Sequence, residues 1–334
     1  MLFAEGVPLS FCFGSPVCVF RVDGGVMQSL LIVGCGDIGL RVVRQLKPHI
    51  RVVALTSSPA RVPELRACGV TPVVGNLDDM SSLQRLGRIC SHVLYLAPPL
   101  QEMRMDAQQA PLPGRAGVDS RCLHLCATLL KHKRPKRLVY ISTTGVYASG
   151  GQQWMDETTP VNPMTSRAHK RIAAEMTMRH FGRVGKTAVS ILRVPGIYAL
   201  DRQGGNPAQR LRQGMQVLAR EDDVYTQHIQ ADDLARICIA ALFHGKPQRV
   251  VNAVDDSDMR MGDYFDLAAD LAGMPRPERL TRQDAARMMS PLLYSFMSES
   301  RRIRNQRLKR ELGVRLTYPT VREGLARLAK KASE

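Results

Sequence analysis

Ser29-Leu-Leu-Ile-Val-Gly-Cys-Gly-Asp-Ile-Gly-Leu-Arg-Val-Val-Arg-Gln-Leu46 decides the fold. A short apolar run ends at Gly34, Gly36 and Gly39, and apolar residues then recur at helical spacing through Ile38, Val42, Val43 and Leu46. The order is strand, tight turn, helix. In such a turn Gly34 makes the bend, Gly36 lets the backbone approach a pyrophosphate, and Gly39 lets the helix close on the strand. The helix N-terminus offers free N–H groups and the positive end of its dipole to phosphate. Val52-Val-Ala-Leu-Thr56 follows at the distance of a second strand. The pattern predicts dinucleotide binding. A glycine-rich turn of the same fold without a ligand is the bland alternative.

The second strand runs into Leu55-Thr56-Ser57-Ser58, where a ribose-reading acid is expected about 20 residues past the motif. No carboxylate stands there. Hydroxyl side chains followed by Arg61 suit a 2′-phosphate better than a bare ribose diol, so the expected cofactor is NADP, with NAD second. As a structural alternative, Arg61 is a solvated cation at a helix start.

The 334 residues are 44% hydrophobic, enough for one large α/β domain or a core with a smaller companion. Residues 1–26 mix Phe, Pro, Gly and Cys without period and read as a disordered extension ahead of Met27. Phe11 to Phe20 is too short and too broken by Gly14 and Pro16 to span a bilayer, and no clear signal peptide precedes it. A cytoplasmic protein without membrane contact is the expectation. Eight cysteines in this length do not make a disulfide framework. Cys122, His124 and Cys126 lack a second ligand pair at zinc spacing, and both cysteines share a helix face, so they read as core and no metal is expected.

The formal net charge of +17 raises nucleic acid as a partner. The basic residues gather in Lys131–Arg137 and Arg301–Arg310, but no nucleic-acid-binding signature accompanies them. Both read as solvated faces, and nucleic acid is a distant last among partners.

Gly75-Asn-Leu-Asp-Asp79 reads as a turn into a helix, Ser91 to Ala97 as a buried strand, Val118 to Lys133 as an amphipathic helix, and Arg137 to Ser142 as the next strand. Alternation of this kind specifies α/β architecture: a doubly wound parallel sheet of Rossmann type, with ligands outside the carboxyl ends of its strands. Ser142, Thr143 and Thr144 emerge at that edge. The Rossmann core is expected over 27–200. A smaller C-terminal substrate lobe takes most of 201–334, with segments near 225–255 returning to the core. Within that lobe, Ala208 to Ala219, Met261 to Ala272 and Gln283 to Met289 read as helices.

Seven signals stand in one order: Gly34-x-Gly-x-x-Gly39, Asn76-Leu77-Asp78, Tyr140-Ile-Ser-Thr-Thr-Gly-Val-Tyr147, Asp156-Glu157-Thr-Thr-Pro160, Leu192-Arg-Val-Pro-Gly-Ile-Tyr198, His228-Ile-Gln-Ala-Asp-Asp-Leu234 and Asn252-Ala-Val-Asp255. Together they resemble the NAD(P)-dependent epimerase/dehydratase family, an extended and atypical branch of the short-chain dehydrogenase/reductases. The resemblance runs from about Met27 to the C-terminus. It implies cofactor contacts at Gly34, Gly36, Asp37, Ile38, Gly39, Thr56, Ser57, Arg61, Asn76, Leu77, Ala97 and Pro195. A small-molecule substrate and a homodimer are further expectations of the resemblance.

Aligned on Val146-Tyr147, the family hydroxyl that bonds the substrate oxygen falls at Thr143. The family's catalytic Tyr and Lys, aligned on Glu175, fall at Arg167 and Arg171, and no Tyr-x-x-x-Lys stands anywhere in the chain. Arginine stays protonated at any working pH, so Arg167 cannot do the acid/base work of tyrosine. Arg171 can still bond ribose hydroxyls, and the pair can clamp an anionic substrate. A solvated helix face accounts for both equally well. His169, Tyr147, His228 and Asp232 are weaker proton-donor candidates. The leading expectation is an oxidoreductase or epimerase acting on a sugar-nucleotide or carbonyl substrate. A cofactor-binding sensor or scaffold without turnover is second.

Overall fold

The buried strand Ser29–Val33 (β1) sorts its side chains by parity. Leu30 and Ile32 enter one apolar core and Leu31 and Val33 another, on opposite faces of the sheet. Alternate side chains of a strand point to opposite faces, so a strand covered on both sides must be apolar throughout. Each such Leu or Ile contributes about 1.5–3 kcal/mol on burial.

The computed structural model describes residues 29–46, 50–89, 91–99, 119–132, 134–326 and 328. The extension expected over residues 1–26 lies outside them. Six further strands join β1: Arg51–Thr56 (β2), Thr71–Val74 (β3), His92–Tyr95 (β4), Arg137–Thr143 (β5), Ala188–Val194 (β6) and Arg249–Asn252 (β7). Their order across the sheet is β7-β6-β5-β4-β1-β2-β3, and every pairing is parallel. The order reverses direction between β1 and β4, which is where such sheets hold ligands.

Helices Asp37–Leu46 (α1) and Ala231–His244 (α6) fill one face, and Ser120–Leu130 (α3) and Ser166–Gly185 (α4) the other. Between these come the short Val62–Ala67 (α2) and Pro207–Arg212 (α5). Cys122 and Cys126 are buried and free, as the shared helix face predicts. A third core gathers α5, Met261–Leu271 (α7), Arg282–Met288 (α8), Pro291–Ser298 (α9) and Val321–Leu325 around Phe265 and Tyr264.

Three readings are corrected. The helix expected over Ala208 to Ala219 stops at Arg212, because Gly214 turns left-handed at φ +79 and Val217–Leu218 pair with Arg279–Leu280. The helix expected after Asp79 is two short 3-10 turns, Met80–Leu83 and Leu86–Arg88. The basic run Arg301–Arg310 is not a solvated face. Arg302–Ile303 pairs with Trp154–Met155, Arg301 meets Glu299, Arg302 meets Asp258, Arg307 lies near Glu157 and Glu311, and Lys309 meets Asp256 at 2.6 Å. No described helix is long and apolar enough to cross a membrane.

Candidate functional site: the carboxyl edge of the sheet

The turn from β1 into α1 gives each glycine a measurable task. Gly34 sits at φ +85, and a Cβ there would lie 2.7 Å from the Ala97 backbone nitrogen. That contact arises because the chain leaving β4 crosses directly over the turn, with the Ala97 N–H donating to the Val33 carbonyl at 3.0 Å. A Cβ on Gly39 would meet Cys35 Sγ at 3.1 Å and Ile32 at 3.3 Å, so its absence lets α1 lie close to β1. At Gly36 a Cβ would meet nothing within 4 Å. The space over Gly36, at the N-terminus of α1, is free for a phosphate.

Ile38 is buried in the core. Asp37 is occupied: it accepts from Arg41 Nε at 3.1 Å and pairs with Arg202. Two guanidiniums thus neutralise the carboxylate at this terminus. Buried Arg41 also binds Asp201 and Asp232, each at 2.6 Å, tying α1 to α6 and to the loop after residue 198. Asp232 is therefore a structural partner of Arg41.

At the end of β2, Thr56 is buried and bonds within its own turn to Ser58, while Ser57 is exposed. Arg61 donates to the Cys35 carbonyl at 2.9 Å and pairs with Glu64. It thereby bridges the β2 exit to the glycine turn. Asn76 is exposed, Leu77 is buried, and the Leu77 carbonyl meets His124 Nδ1 at 2.8 Å. Asp78 is held by a two-pronged bond from Arg121. Ala97 lies on the glycine turn and Pro195 leaves β6 half-buried.

The exit of β5 carries the other residues. The Thr143 hydroxyl accepts from the Gly145 N–H at 3.1 Å, and the side chain is half-buried. Beneath it Ser142 donates to Glu175 at 2.6 Å, and Arg193 forks onto the same carboxylate at 3.1 and 2.8 Å. The Arg193 guanidinium lies 4.8 Å from the centre of the Tyr147 ring, whose hydroxyl donates to Asn252 at 2.9 Å. Tyr147 is fully buried in this network. Sequence reasoning used Glu175 only as an alignment mark. Its burial on a helix facing Arg193 of the adjoining strand was the missed signal.

Arg171 donates from one nitrogen to the Ile141 carbonyl at 2.8 Å and to the Tyr140 hydroxyl at 3.0 Å. It is pinned to β5 one turn from Arg167, which is exposed and stacks on Phe296 at 4.4 Å. Packing around Arg167, with the Arg171 charge second, draws its pKa below the usual guanidinium value. Arg301 joins this edge by donating to the Tyr147 carbonyl at 3.1 Å. Thr143, Arg171, Arg167 and Arg301 thus belong to one electropositive corner, apart from the glycine turn. His169 is exposed and bonds the Thr165 carbonyl.

His228 belongs elsewhere. Its ring stacks on Tyr264 with centroids 3.9 Å apart, and burial lowers its pKa to about 3. A neutral buried imidazole is no proton donor at the sheet edge. Beside it, burial pushes the Asp255 carboxyl up to about 8. One Asp255 oxygen accepts from the Ser257 N–H at 3.0 Å, and the other has no partner among the described residues. A carboxyl whose folded pKa is raised favours folding below its unfolded value, and that advantage is lost as pH rises towards 8. Asp255→Asn is therefore expected to be more stable than the parent at pH values above about 8, by a few kcal/mol, and nearly equal to it near pH 4. Paired thermal melts across that window check this. An advantage that does not grow with pH refutes it.

The matches to known proteins accord with this geometry. A family model for the NAD dependent epimerase/dehydratase family matches residues 30–253. An uncharacterized protein of Schizosaccharomyces pombe is 29% identical over 171 residues, covering 51% of this chain and 53% of that protein; the matched region thus spans about half the length of that relative. A conserved protein of unknown function from Silicibacter pomeroyi superposes with TM-score 0.73 at 28% identity, covering 92% of this chain and all of that one. A double mutant of the dTDP-glucose 4,6-dehydratase DesIV of Streptomyces venezuelae, with NAD bound, superposes with TM-score 0.71 at 20% identity, covering 91% and 97%. Among the described residues no cluster of side chains could hold a metal ion. With its glycine turn at the strand-order reversal and its family match across more than half its length, the chain belongs to the NAD dependent epimerase/dehydratase family.

Proposed function

We infer that this protein binds NADP in preference to NAD across the glycine turn and acts on a carbonyl or sugar-nucleotide substrate at the β5 exit. The observation that carries the reading is the open space over Gly36, framed by the closed contacts of Gly34 and Gly39. A nicotinamide dinucleotide, when bound, supplies a hydride donor or acceptor. The chain's own residues bind and orient. The N–H groups at the start of α1 take the pyrophosphate, and Arg61 with Ser57 takes the 2′-phosphate. Asn76, Leu77, Ala97 and Pro195 line the remaining length, and Arg171 reaches the ribose. Thr143 holds the substrate oxygen, and Arg167 stabilises negative charge developing there, an effect worth about 2–4 kcal/mol when the donor is fixed.

Calorimetry with both cofactors tests the cofactor assignment. Arg61→Ala should weaken NADP about tenfold or more and leave NAD nearly unchanged, since it removes a charge-assisted contact to a group that NAD lacks. Equal losses for both would make Arg61 a structural bridge between Cys35 and Glu64.

A second reading has its own observation. Arg167 stands where the family uses a titrating tyrosine, and it is stacked on Phe296. A protein that binds cofactor without turnover would tolerate that arrangement. Arg167→Tyr with Arg171→Lys separates the two readings in a cofactor-oxidation screen. Loss of turnover means that the arginines serve chemistry, and a gain from none means that the present site is a binding site only.

A further inference from the structure

The corner at the β5 exit has an unusual pairing of charge and apolar surface. Among the described residues neither Arg167 nor Arg171 makes an ion pair, whereas Arg193, Arg301 and Arg307 nearby do. The nearest carboxylates are already committed. Glu299 is held by Arg301, and Asp119 is buried as the N-cap of α3, where burial raises its pKa. Among the described residues the corner therefore carries more positive than negative charge. Beside it lies exposed apolar surface. Leu292 is 61% exposed and Phe296 46%, and four residues apart they share one face of α9. Met164, 67% exposed, immediately precedes the first turn of α4, on which Arg167 stands. The Arg167 guanidinium rests on Phe296, so charge and apolar face are in contact. Only Met297 of α9 is buried, so the helix lies at the surface and Leu292, Phe296 and Met164 leave apolar side chains open to solvent beside the charge.

We propose that this corner takes an amphipathic small anion: a carboxylate or phosphate head on Arg167, and a planar or alkyl group against Phe296 and Leu292. The inference rests on the site reading above and narrows its substrate to carbonyl acids or esters with an apolar flank. Charge complementarity selects the head, because unpaired guanidiniums bind planar anions in two-pronged geometry. The exposed face of α9 selects the flank, because it gains from losing water while leaving the arginine stack intact.

The test is calorimetric titration of the full chain, with and without saturating NADP, using four probes. Phenylglyoxylate and phenyl phosphate carry both features, inorganic phosphate only the charge, and benzyl alcohol only the ring. The expected result is that the two-feature probes bind about tenfold or more tightly than either one-feature probe. The better of phenylglyoxylate and phenyl phosphate then identifies the head group. Arg167→Ala and Phe296→Ala should each weaken them about tenfold, while Phe296→Leu retains most of the affinity. Both positions are exposed, and unchanged melting temperatures show that the variants fold. The inference is overturned if the two-feature probes bind no better than inorganic phosphate, or if neither variant affects them. It is also overturned if the protein forms a dimer that Leu292→Ala dissociates and that leaves no probe binding. Failure of NADP to bind while phenylglyoxylate binds would remove the site reading and leave this inference standing; the reverse outcome would remove this inference alone.

Discussion

Glu175→Ala is expected to lower stability by about 3–5 kcal/mol, because it leaves the buried Arg193 guanidinium without its counter-charge. Glu175 and Arg193 each keep 5% of their side-chain surface exposed, and the fork between them is the centre of a chain from Ser142 to Tyr147 and Asn252. Removing the carboxylate therefore strands two donors, Arg193 and the Ser142 hydroxyl, in a place water does not reach. For a chain of this size a loss on that scale shifts the melting temperature by on the order of 10 °C. The double variant Glu175→Met with Arg193→Met should recover much of it, since a pair of apolar residues of similar volume avoids the desolvation cost altogether. A drop below about 1 kcal/mol in the single variant would show that the pair is hydrated. The network also holds the end of β5, so binding at Thr143 should weaken along with stability.

Gly34→Ala and Gly36→Ala should behave differently despite being two residues apart in one motif. At Gly34 the new methyl would be forced to 2.7 Å from the Ala97 nitrogen in a left-handed backbone, and neither atom can yield. The Ala97 N–H is bonded to the Val33 carbonyl, and the Gly36 N–H to the Gly34 carbonyl at 2.8 Å. Relief needs β1 and β4 to separate at the strand-order reversal. The expected cost is about 2–4 kcal/mol in stability, from strain and overpacking together, and cofactor binding should be lost. Gly36→Ala meets nothing within 4 Å, so its melting temperature should stay near that of the parent. Its cofactor affinity should nevertheless fall by about a hundredfold if a pyrophosphate packs against that backbone. A Gly36→Ala protein that binds NADP as tightly as the parent would refute the placement of the phosphates. Calorimetry beside thermal melts reads both quantities on the same samples.

Much of the fold is legible along the chain because its causes are local. Residues 29 to 46 contain a continuous apolar run, three glycines and a helical period, and each depends only on neighbours in sequence. The left-handed φ at Gly34, the closeness permitted by Gly39 and the parallel sheet built from such units follow from that. The helices beginning at Ser120, Ser166 and Ala231 are likewise started by their own N-caps at Asp119, Thr165 and Gln230. Where local cues mislead, a distant partner intervenes. The run after Ala208 has helical spacing, yet Val217 and Leu218 are taken by a strand some sixty residues later.

Charge is the property the chain hides best. Arg301 to Arg310 reads as ten residues with a surplus of positive charge, and the flanking Glu299 and Glu311 balance only part of it. Its balancing carboxylates include Glu157, Asp256 and Asp258, brought in by loops and strand ends that folding assembles. Glu175 and Arg193 are joined in the same way across a helix and a strand. Asp37, placed at the start of α1 by its position in the motif, meets a second cation only when Arg202 arrives from far along the chain. Sequence by itself determined the strand-turn-helix unit and the parallel architecture, because backbone conformation and burial period are set by neighbours; Thr143, Arg167 and Arg171 came only as what the family resemblance implies. Only the tertiary structure decided which charges are spent and which remain, because ion pairing falls off over a few ångströms and distance along the chain says nothing about it. Arg41 is spent three times over, whereas Arg167 rests on the Phe296 ring.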